Sequence, residues 1–357
     1  MNLGSFRTLE EYFKSIDENI KLIFPHDDKY VTRYNYLSHQ LNTWIHPYVV
    51  KGGMTVDGGY LNDHGPEHIS KVILRASQLV KNSDIILSEY ETYILLMSIH
   101  IHDVGNILGR VDHEINSLSI IQKFGIHAGH DRIEWECIFE IAEAHGGHPK
   151  DKISDLAPDT ILDFEVRKPL LAAILKLADE LAEDRSRASR FELQNGLLPE
   201  LAEIYHRYSH CLHSTVVDIA GRQIKLSFDV EEKDLCKLFK KKVKDAEGER
   251  VIEVYLINEI YERTYKTHLE RMYCMRFTRP ELQINKIRVD ITITTDKMDH
   301  RNKPIKKQIS YDIGEVGYPS TASEGIFSIC PTLSEFTGEK ICRMSIDQCL
   351  TNVTATY

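Results

Sequence analysis

Histidine and aspartate residues at five places along the chain are those whose types could do chemistry. In chain order they are His68, the adjacent pair His102-Asp103, His113, His145 and Asp179. Imidazole nitrogens and carboxylate oxygens suit first-row divalent metals. One ion could be held by His68, His102, Asp103 and Asp179, and a second by His113 and His145 through a shared Asp103 or a bridging hydroxide. Two metals about 3.5–4 Å apart clamp a phosphoryl group for attack by water, so this set predicts phosphoryl hydrolysis.

The pair His102-Asp103 must lie at a helix end if both side chains are to reach one ion. Neighbours on a helix point about 100° apart, and only a turn of the backbone lets them converge. Ser88 with Glu91 predicts a capping box, followed by an apolar helix that runs to His102-Asp103.

His68 and Asp179 also occupy positions that favour a site. Pro66 is typical of a first helical position, which puts His68 in the first turn of the next helix. Asp179 lies in a helix that is otherwise apolar almost all round. An ionised carboxylate there is costly unless something neutralises it.

His113 and His145 lie at opposite ends of two further predicted helices. Asp112 can cap the helix that opens with His113, and Asp131 with Glu134 predicts a capping box for the helix that ends at His145. His145 therefore closes a stripe of otherwise apolar side chains.

Composition narrows the class of protein. The chain has 357 residues and a net charge of −10, so no general attraction to nucleic acid or to an anionic membrane is expected. It contains no run of about 18 apolar residues and no signal-peptide pattern at its N-terminus, which predicts a cytoplasmic protein without a membrane partner. Seven scattered cysteines, never spaced as CxxC, predict reduced thiols and no cysteine-based zinc site.

From about residue 214 the pattern changes to α+β. The segment TVVDIAGRQIKLSFDV predicts a hairpin and INKIRVDITITT predicts a strand, with helices expected at 233–245 and 250–273 between them. QISYDI and GIFSIC are strand-like. The run KLFKKKVK at 237–244 is typical of an exposed helix face, or alternatively of a site for an effector or oligonucleotide.

The order His68, His102-Asp103, Asp179 resembles the H…HD…D motif of the HD superfamily of metal-dependent phosphohydrolases. The local contexts DHGPEHISKV, MSIHIHDVGN and LKLADELAEDR resemble that superfamily as well. The resemblance covers about residues 60–190 and implies an all-helical fold there. Together with the α+β pattern after residue 214, we expect a mainly α protein, an HD-type helical bundle with a smaller α+β C-terminal domain. It also implies one or two divalent ions, with Mn, Mg, Fe, Co, Ni and Zn not distinguished. His113 and His145 are similar to the extra histidines of members that carry two metals.

On this basis we divide the chain into three segments. Residues 1–60 contribute N-terminal helices, predicted at 8–23 and 32–48, that pack on the core. Residues 61–213 form the HD catalytic domain, and residues 214–357 form an accessory domain for regulation or oligomerisation.

Further residues near the motif could bind substrate. Asn106 and Arg110 follow the pair, Lys176 and Arg185 flank Asp179, and His64 precedes His68. Arg110 offers forked donors suited to a phosphoryl group. For each of these residues a surface or turn role is the alternative.

We therefore expect a metal-dependent phosphohydrolase of nucleotides, favoured as a (deoxy)nucleoside triphosphate triphosphohydrolase. Asp103, His113 and His145 are the expected catalytic residues, with the two histidines acting as ligands or as proton shuttles. One alternative is a phosphodiesterase of a cyclic or oligonucleotide messenger, and another is a catalytically silent HD nucleotide sensor. Expected partners are the nucleotide substrate, a nucleotide effector, and a second copy or another protein. Some HD proteins with accessory domains serve in bacterial defence against phage, a role that no residue here demonstrates.

Overall fold

The structure is a computed structural model that describes residues 3–17, 23–25, 29–55, 65–109, 112–125, 131–146, 152–245, 248–314, 325–343 and 353–355. The chain divides into two compact units. The first comprises Met1–Ala182 with Met272–Gln283, and the second comprises Glu183–Arg271 with Ile284–Tyr357. The unit boundary thus falls at Ala182, whereas the sequence suggests a domain boundary near residue 214.

The first unit is built from helices. They are α1 Leu9–Lys14, α2 Tyr30–Trp44, α3 His46–Thr55, α4 Pro66–Val80, α5 Glu89–Ile101, α6 His113–Lys123, α7 Arg132–Glu143 and α8 Lys168–Glu180. A 3₁₀ turn, Val104–Leu108, joins α5 to α6, and a short antiparallel pair, β1 Asp159–Ile161 with β2 Phe164–Val166, precedes α8. The predicted helix at 8–23 is confirmed only as the shorter α1, and residues 18–22 lie outside the described part of the chain.

Helix α5 forms the centre of this unit. Every residue from Tyr90 to Ile101 is buried, because α1, α2, α4, α7 and α8 all pack against α5. The predicted capping box is confirmed: the Ser88 hydroxyl accepts from the backbone N–H of Glu91, and the Glu91 carboxylate accepts from the backbone N–H of Ser88. A helix surrounded on all sides is mainly apolar on all sides, which explains the run Ile94–Met97, and its buried polar residues Glu91 and Ser98 make hydrogen bonds.

The second unit contains the strands predicted after residue 214. Its elements are α9 Arg190–Asn195, α10 Glu200–Cys211, β3 Leu212–Asp218, β4 Gln223–Glu231, α11 Glu232–Leu235, β5 Leu238–Asp245, β6 Gly248–Tyr255, α12 Leu256–Thr278, β7 Lys286–Met298, β8 Pro304–Gly314, α13 Ile326–Ile329, α14 Gly338–Arg343 and β9 Val353–Ala355. Two 3₁₀ turns, Arg185–Arg187 and Pro331–Phe336, accompany them. The last turns of α12 belong to the first unit.

A five-stranded sheet organises the second unit. Its strand order is β3-β4-β7-β8-β9, with β3 antiparallel to β4, β4 parallel to β7, β7 antiparallel to β8 and β8 parallel to β9. The alternating residues Ile287, Val289, Ile291 and Ile293 of β7 are all buried. The predicted hairpin, the predicted β7 strand and the overall class, mainly α with a smaller α+β part, are therefore confirmed.

Of the two helix predictions in the second unit, the one at 233–245 is wrong, and the one at 250–273 is confirmed only from Leu256 onward. Residues 233–245 contain only the short helix α11 and then strand β5, and residues 250–255 belong to β6 before α12 begins at Leu256. In β5, Phe239 and Lys241 are buried on one face, and the Lys241 ammonium reaches buried Glu259 at 2.7 Å. A buried lysine hides the alternation of apolar and polar residues that identifies a strand. The sequence does not show that a residue distant along the chain neutralises its charge. Similarly, GIFSIC contains helix α13 and not a strand.

The basic run of β5 carries its own counter-charges. Lys240 lies 2.9 Å from Glu200, Lys241 lies 2.7 Å from Glu259, and Lys242 pairs with Glu249 at 2.5 Å. These ion pairs neutralise three of the lysines of the run within the second unit.

The cysteines depart from the expectation of reduced thiols. Cys236 and Cys342 form a disulfide, with 5.4 Å between their Cα atoms, whereas Cys137, Cys211, Cys274 and Cys330 are buried thiols. The bonded pair is 106 residues apart in sequence and is brought together because α11 packs against α14. No spacing rule could predict this pairing.

Among the described helices, none is both long and apolar enough to cross a bilayer.

Candidate metal centre

Five segments of the first unit deliver the predicted ligands. His68 lies in the first turn of α4 behind Pro66, and His102 caps the C-terminus of α5. His113 begins α6, His145 lies just beyond α7, and Asp179 lies in the last turn of α8. Asp103 starts the 3₁₀ turn that follows α5. Helix ends can present neighbouring side chains to one point, which a continuous helix cannot.

The first group of donors surrounds one point between α4, α5 and α8. His68 Nε2 lies 3.1 Å from Asp179 Oδ1 and 3.4 Å from Asp103 Oδ2. His102 Nε2 lies 3.4 Å from Asp103 Oδ2 and 3.6 Å from Asp179 Oδ1. All four residues offer a donor atom within 4.8 Å of the others. This first cluster could bind a divalent metal.

The second group of donors lies on the other side of Asp103. His113 Nε2 lies 3.4 Å from Asp103 Oδ1, and His145 Nε2 lies 3.8 Å from the same oxygen. These three residues again fall within 4.8 Å of one another. Asp103 therefore turns one oxygen to each cluster, and its carboxylate is the element that the two clusters share.

Hydrogen bonds orient two of these imidazoles at the opposite ring nitrogen, and a nearby carboxylate lies beside that nitrogen in a third. His102 Nδ1 donates to the carbonyl of Ile99 at 2.7 Å, and His145 Nδ1 donates to the carbonyl of Ala142. His113 Nδ1 lies 3.1 Å from Glu114 Oε2. A proton held at Nδ1 leaves the Nε2 lone pair for a metal, which is the usual arrangement of metal-binding histidines.

The donor geometry passes a test of fit to a metal ion. Donors about 2.1 Å from a common ion lie about 3.0 Å apart in octahedral and about 3.4 Å apart in tetrahedral arrangement. The first cluster shows 3.1–3.6 Å. His102 Nε2 is also buried, and no described group meets it with hydrogen-bond geometry. A buried imidazole nitrogen in that state is explained by a ligand role.

Electrostatics in the cluster reflect two acids, the buried Asp103 and the partly exposed Asp179, facing four imidazoles. Burial alone would lower the pKa of His102, but Asp103 and Asp179 outweigh it and raise that pKa to about 9. Burial would raise the pKa of Asp179, but His102 and His68 hold it well below its usual range. Burial lowers the pKa of His145. The site thus concentrates negative charge that a cation would compensate.

Close backbone approach explains Gly105 beside the second cluster, whereas Gly146 lies against a side chain. A Cβ on Gly105 would lie 1.7 Å from the carbonyl oxygen of His113, and one on Gly146 would lie 2.7 Å from the Glu114 side chain. The 3₁₀ turn can therefore contact the start of α6 only with glycine at 105.

The predicted side-chain cap from Asp112 is absent, since Asp112 has φ of 54° and makes no cap hydrogen bond. Asp131 does cap α7, but the Glu134 side chain binds Tyr30 and Tyr90 instead of closing a capping box.

The predicted substrate-binding residues have different surroundings. Asn106 is fully buried and donates from Nδ2 to Asp103 Oδ1 at 2.9 Å. Lys176 is buried, and its ammonium donates to the carbonyls of His145 and Gly146. Arg185 belongs to the second unit, where it lies 4.0 Å from Asp229. His64 and Arg110 lie outside the described residues. A role of any of them toward substrate stays a prediction.

Sequence reasoning missed residues that support the ligands. Glu114 orients His113 and is itself paired with Lys152 at 3.3 Å. The Ser117 hydroxyl accepts from the backbone N–H of Gly105 and lies 3.2 Å from the carbonyl oxygen of His102. Glu114 could have been found as the acid next to His113. Ser117 carries no such signal, because its role depends on the 3₁₀ turn folding back on α6.

Comparison with known families agrees with this geometry. The HD-CE family matches residues 58–265, more than half of the chain, and the chain belongs to this HD-type family. The resemblance to the HD superfamily is therefore confirmed at the level of the superfamily. No curated protein matches the chain. An HD-type domain with a His/Asp cluster suggests a metal-dependent hydrolase.

Proposed function

We propose that this protein is a metal-dependent phosphohydrolase that acts on nucleotides, with (deoxy)nucleoside triphosphates as the favoured substrates and triphosphate as the product released. The observation that carries the proposal is the pair of His/Asp clusters that share Asp103. Divalent ions held by these residues would supply an activated water and neutralise phosphate charge. The chain has a net charge of −10, so local cations must provide the attraction for a polyanionic substrate.

The chain's own residues take separate roles in this proposal. Asp103 contributes one carboxylate oxygen to each cluster and so links the two clusters. The His113 side chain is 15% exposed, against 4% for His145, so His113 is the more accessible to a substrate. The Glu114 carboxylate lies 3.1 Å from its Nδ1 and favours one orientation of the ring. We assign His113 a role as ligand of the second cluster or as proton shuttle, and His145 a role as ligand.

The preference for a triphosphate over the alternatives rests on the resemblance and on the added second unit. An appended α+β unit is the kind of addition that holds a nucleotide effector or an oligomer contact. The phosphodiesterase and silent-sensor alternatives share the same cluster and differ from the proposal only in what the protein does to a nucleotide.

A product analysis tests the proposal. The purified chain would be incubated in the presence of Mn²⁺ with deoxynucleoside triphosphates in one reaction and with cyclic dinucleotides in another. We expect inorganic triphosphate and a nucleoside, whereas linear dinucleotides would support the phosphodiesterase. A metal-loaded protein that converts no nucleotide in a broad panel, yet binds one, would support the sensor and overturn the proposal.

Two variants complete that assay, one without ligands of the clusters and one as a control. Replacing both His102 and Asp103 by alanine removes ligands of both clusters and should abolish turnover. His39, an exposed residue of α2, gives a matched control in His39→Ala, which should keep wild-type activity. Light scattering with and without nucleotide would measure the proposed oligomer at the same time.

A further inference from the structure

A buried amide lies against the carboxylate that the two clusters share. Asn106 has no exposed surface and occupies the 3₁₀ turn immediately after Asp103. Its backbone N–H donates to the Asp103 carbonyl at 3.0 Å, and its side-chain Nδ2 donates to Asp103 Oδ1 at 2.9 Å. The same turn therefore ties Asn106 to Asp103 twice, once through the backbone and once through the side chain.

The amide orientation follows from the chemistry of its partner. An ionised carboxylate only accepts hydrogen bonds, so the amide must present its NH₂ group and not its oxygen. The Asn106 Oδ1 atom is consequently buried with no hydrogen-bond partner among the described residues. A leucine of similar size would avoid leaving that polar atom unsatisfied. The amide is therefore explained by what its NH₂ group does to Asp103.

The hydrogen bond selects one rotation of the Asp103 carboxylate. An aspartate's terminal torsion is broad, so without a restraint both oxygens could turn toward one cluster. With Oδ1 bound to Asn106, that oxygen stays near His113 and His145, and Oδ2 faces His68 and His102. Asp179 already supplies the first cluster with a second carboxylate, whereas among the described residues Asp103 alone supplies a carboxylate to the second cluster.

We propose that Asn106 is a positioning residue that makes Asp103 a shared ligand and so controls whether the second ion binds. The inference rests on the metal centre of the proposed function but does not depend on the substrate. Loss of the amide would weaken the second ion selectively, because the first cluster keeps Asp179 and both of its histidines.

A titration of the metal-free chain with Mn²⁺ tests this proposal. Binding is measured by calorimetry and by electron paramagnetic resonance. Wild type should bind two ions, with a spin-coupled signal when both are present. In Asn106→Leu we expect the second ion to bind about 10- to 100-fold more weakly, as is typical for loss of a residue that supports a ligand. The first ion should bind within about twofold of wild type, and Asn106→Ala provides a second variant should the leucine disturb folding.

Ser98 offers a matched control from the same region. Its buried hydroxyl lies within hydrogen-bond distance of the carbonyls of Ile94 and Ile138, so Ser98→Ala removes a buried polar group without touching Asp103. That variant should lose stability yet bind both ions as wild type does. Equal weakening of both ions in both Asn106 variants, or unchanged binding of both ions, would overturn the proposal. So would a wild type that binds only one ion.

The outcomes separate this inference from the proposed function. A wild type that binds two ions and converts no nucleotide contradicts the proposed activity. The titration of the Asn106 variants still measures whether Asn106 positions Asp103. A wild type that hydrolyses nucleotides with a single ion keeps the activity and removes the inference.

Discussion

Acidification should destabilise the protein through a histidine that is not a proposed ligand. His46 begins α3 and is 1% exposed, with Nδ1 2.9 Å from Asn42 Oδ1 and Nε2 2.8 Å from the carbonyl of His100. Burial lowers its pKa from an ordinary 6.5 to about 4. The unfolded chain therefore takes up the proton first as the pH falls. The stabilisation is complete above pH 6.5, declines below that value, and is lost by about pH 4.

The magnitude follows from those two values. The difference between 6.5 and about 4 corresponds to about 3 kcal/mol in the free energy of unfolding once the pH lies below both. At about pH 5 the same relation gives a loss of about 2 kcal/mol, which is a large part of a typical domain's stability. Because His46 meets the carbonyl of His100, near the end of α5, the loss is expected to loosen the helix that delivers His102 and Asp103.

Urea unfolding of the metal-free protein at pH 7.5 and at pH 5 measures this effect. His46→Gln keeps a donor near the Nε2 position and removes the titrating group, so its stability should fall between the two pH values by about 2 kcal/mol less than that of wild type. The exposed His39→Gln serves as the control and should follow wild type. Equal losses in wild type and His46→Gln, or a His46 imidazole that titrates near 6.5 by NMR, would refute the reasoning.

Three further predictions concern the metal centre and the central helix. Adding a chelator to the metal-loaded protein should lower its Tm, since an ion present at about 100 times its Kd stabilises by about 2.7 kcal/mol; an unchanged Tm in differential scanning calorimetry would count against a bound ion. Asp103→Asn should lose both ions in metal analysis, whereas Asp179→Asn should lose only the first, because only Asp103 belongs to both clusters. Ser88→Ala should cost about 0.5–2 kcal/mol in chemical denaturation by removing the cap of α5, and no measurable loss would contradict the capping box.

Local signals in the sequence were sufficient where the determining contacts are close along the chain. Ser88 and Glu91 are three residues apart and form the predicted box, and Pro66 begins α4 as expected. The alternation in β7 placed four isoleucine and valine side chains correctly on a buried face. The same rules failed at β5, where burial of Lys241 depends on Glu259 in another element. They also failed at Cys236 and Cys342, which only the packing of α11 against α14 brings together.

The sequence by itself determined the candidate ligand set, its order, and the helix ends on which its members other than Asp179 lie, because residue type and helical period are local properties. Only the tertiary structure decided that Asp103 turns one oxygen to each group of histidines, and that Asn106 and Lys176 face the protein's own groups. The physical reason is that rotation of a carboxylate and the partner of a buried amide depend on atoms supplied by several helices. Those atoms become neighbours only when the helices pack around α5.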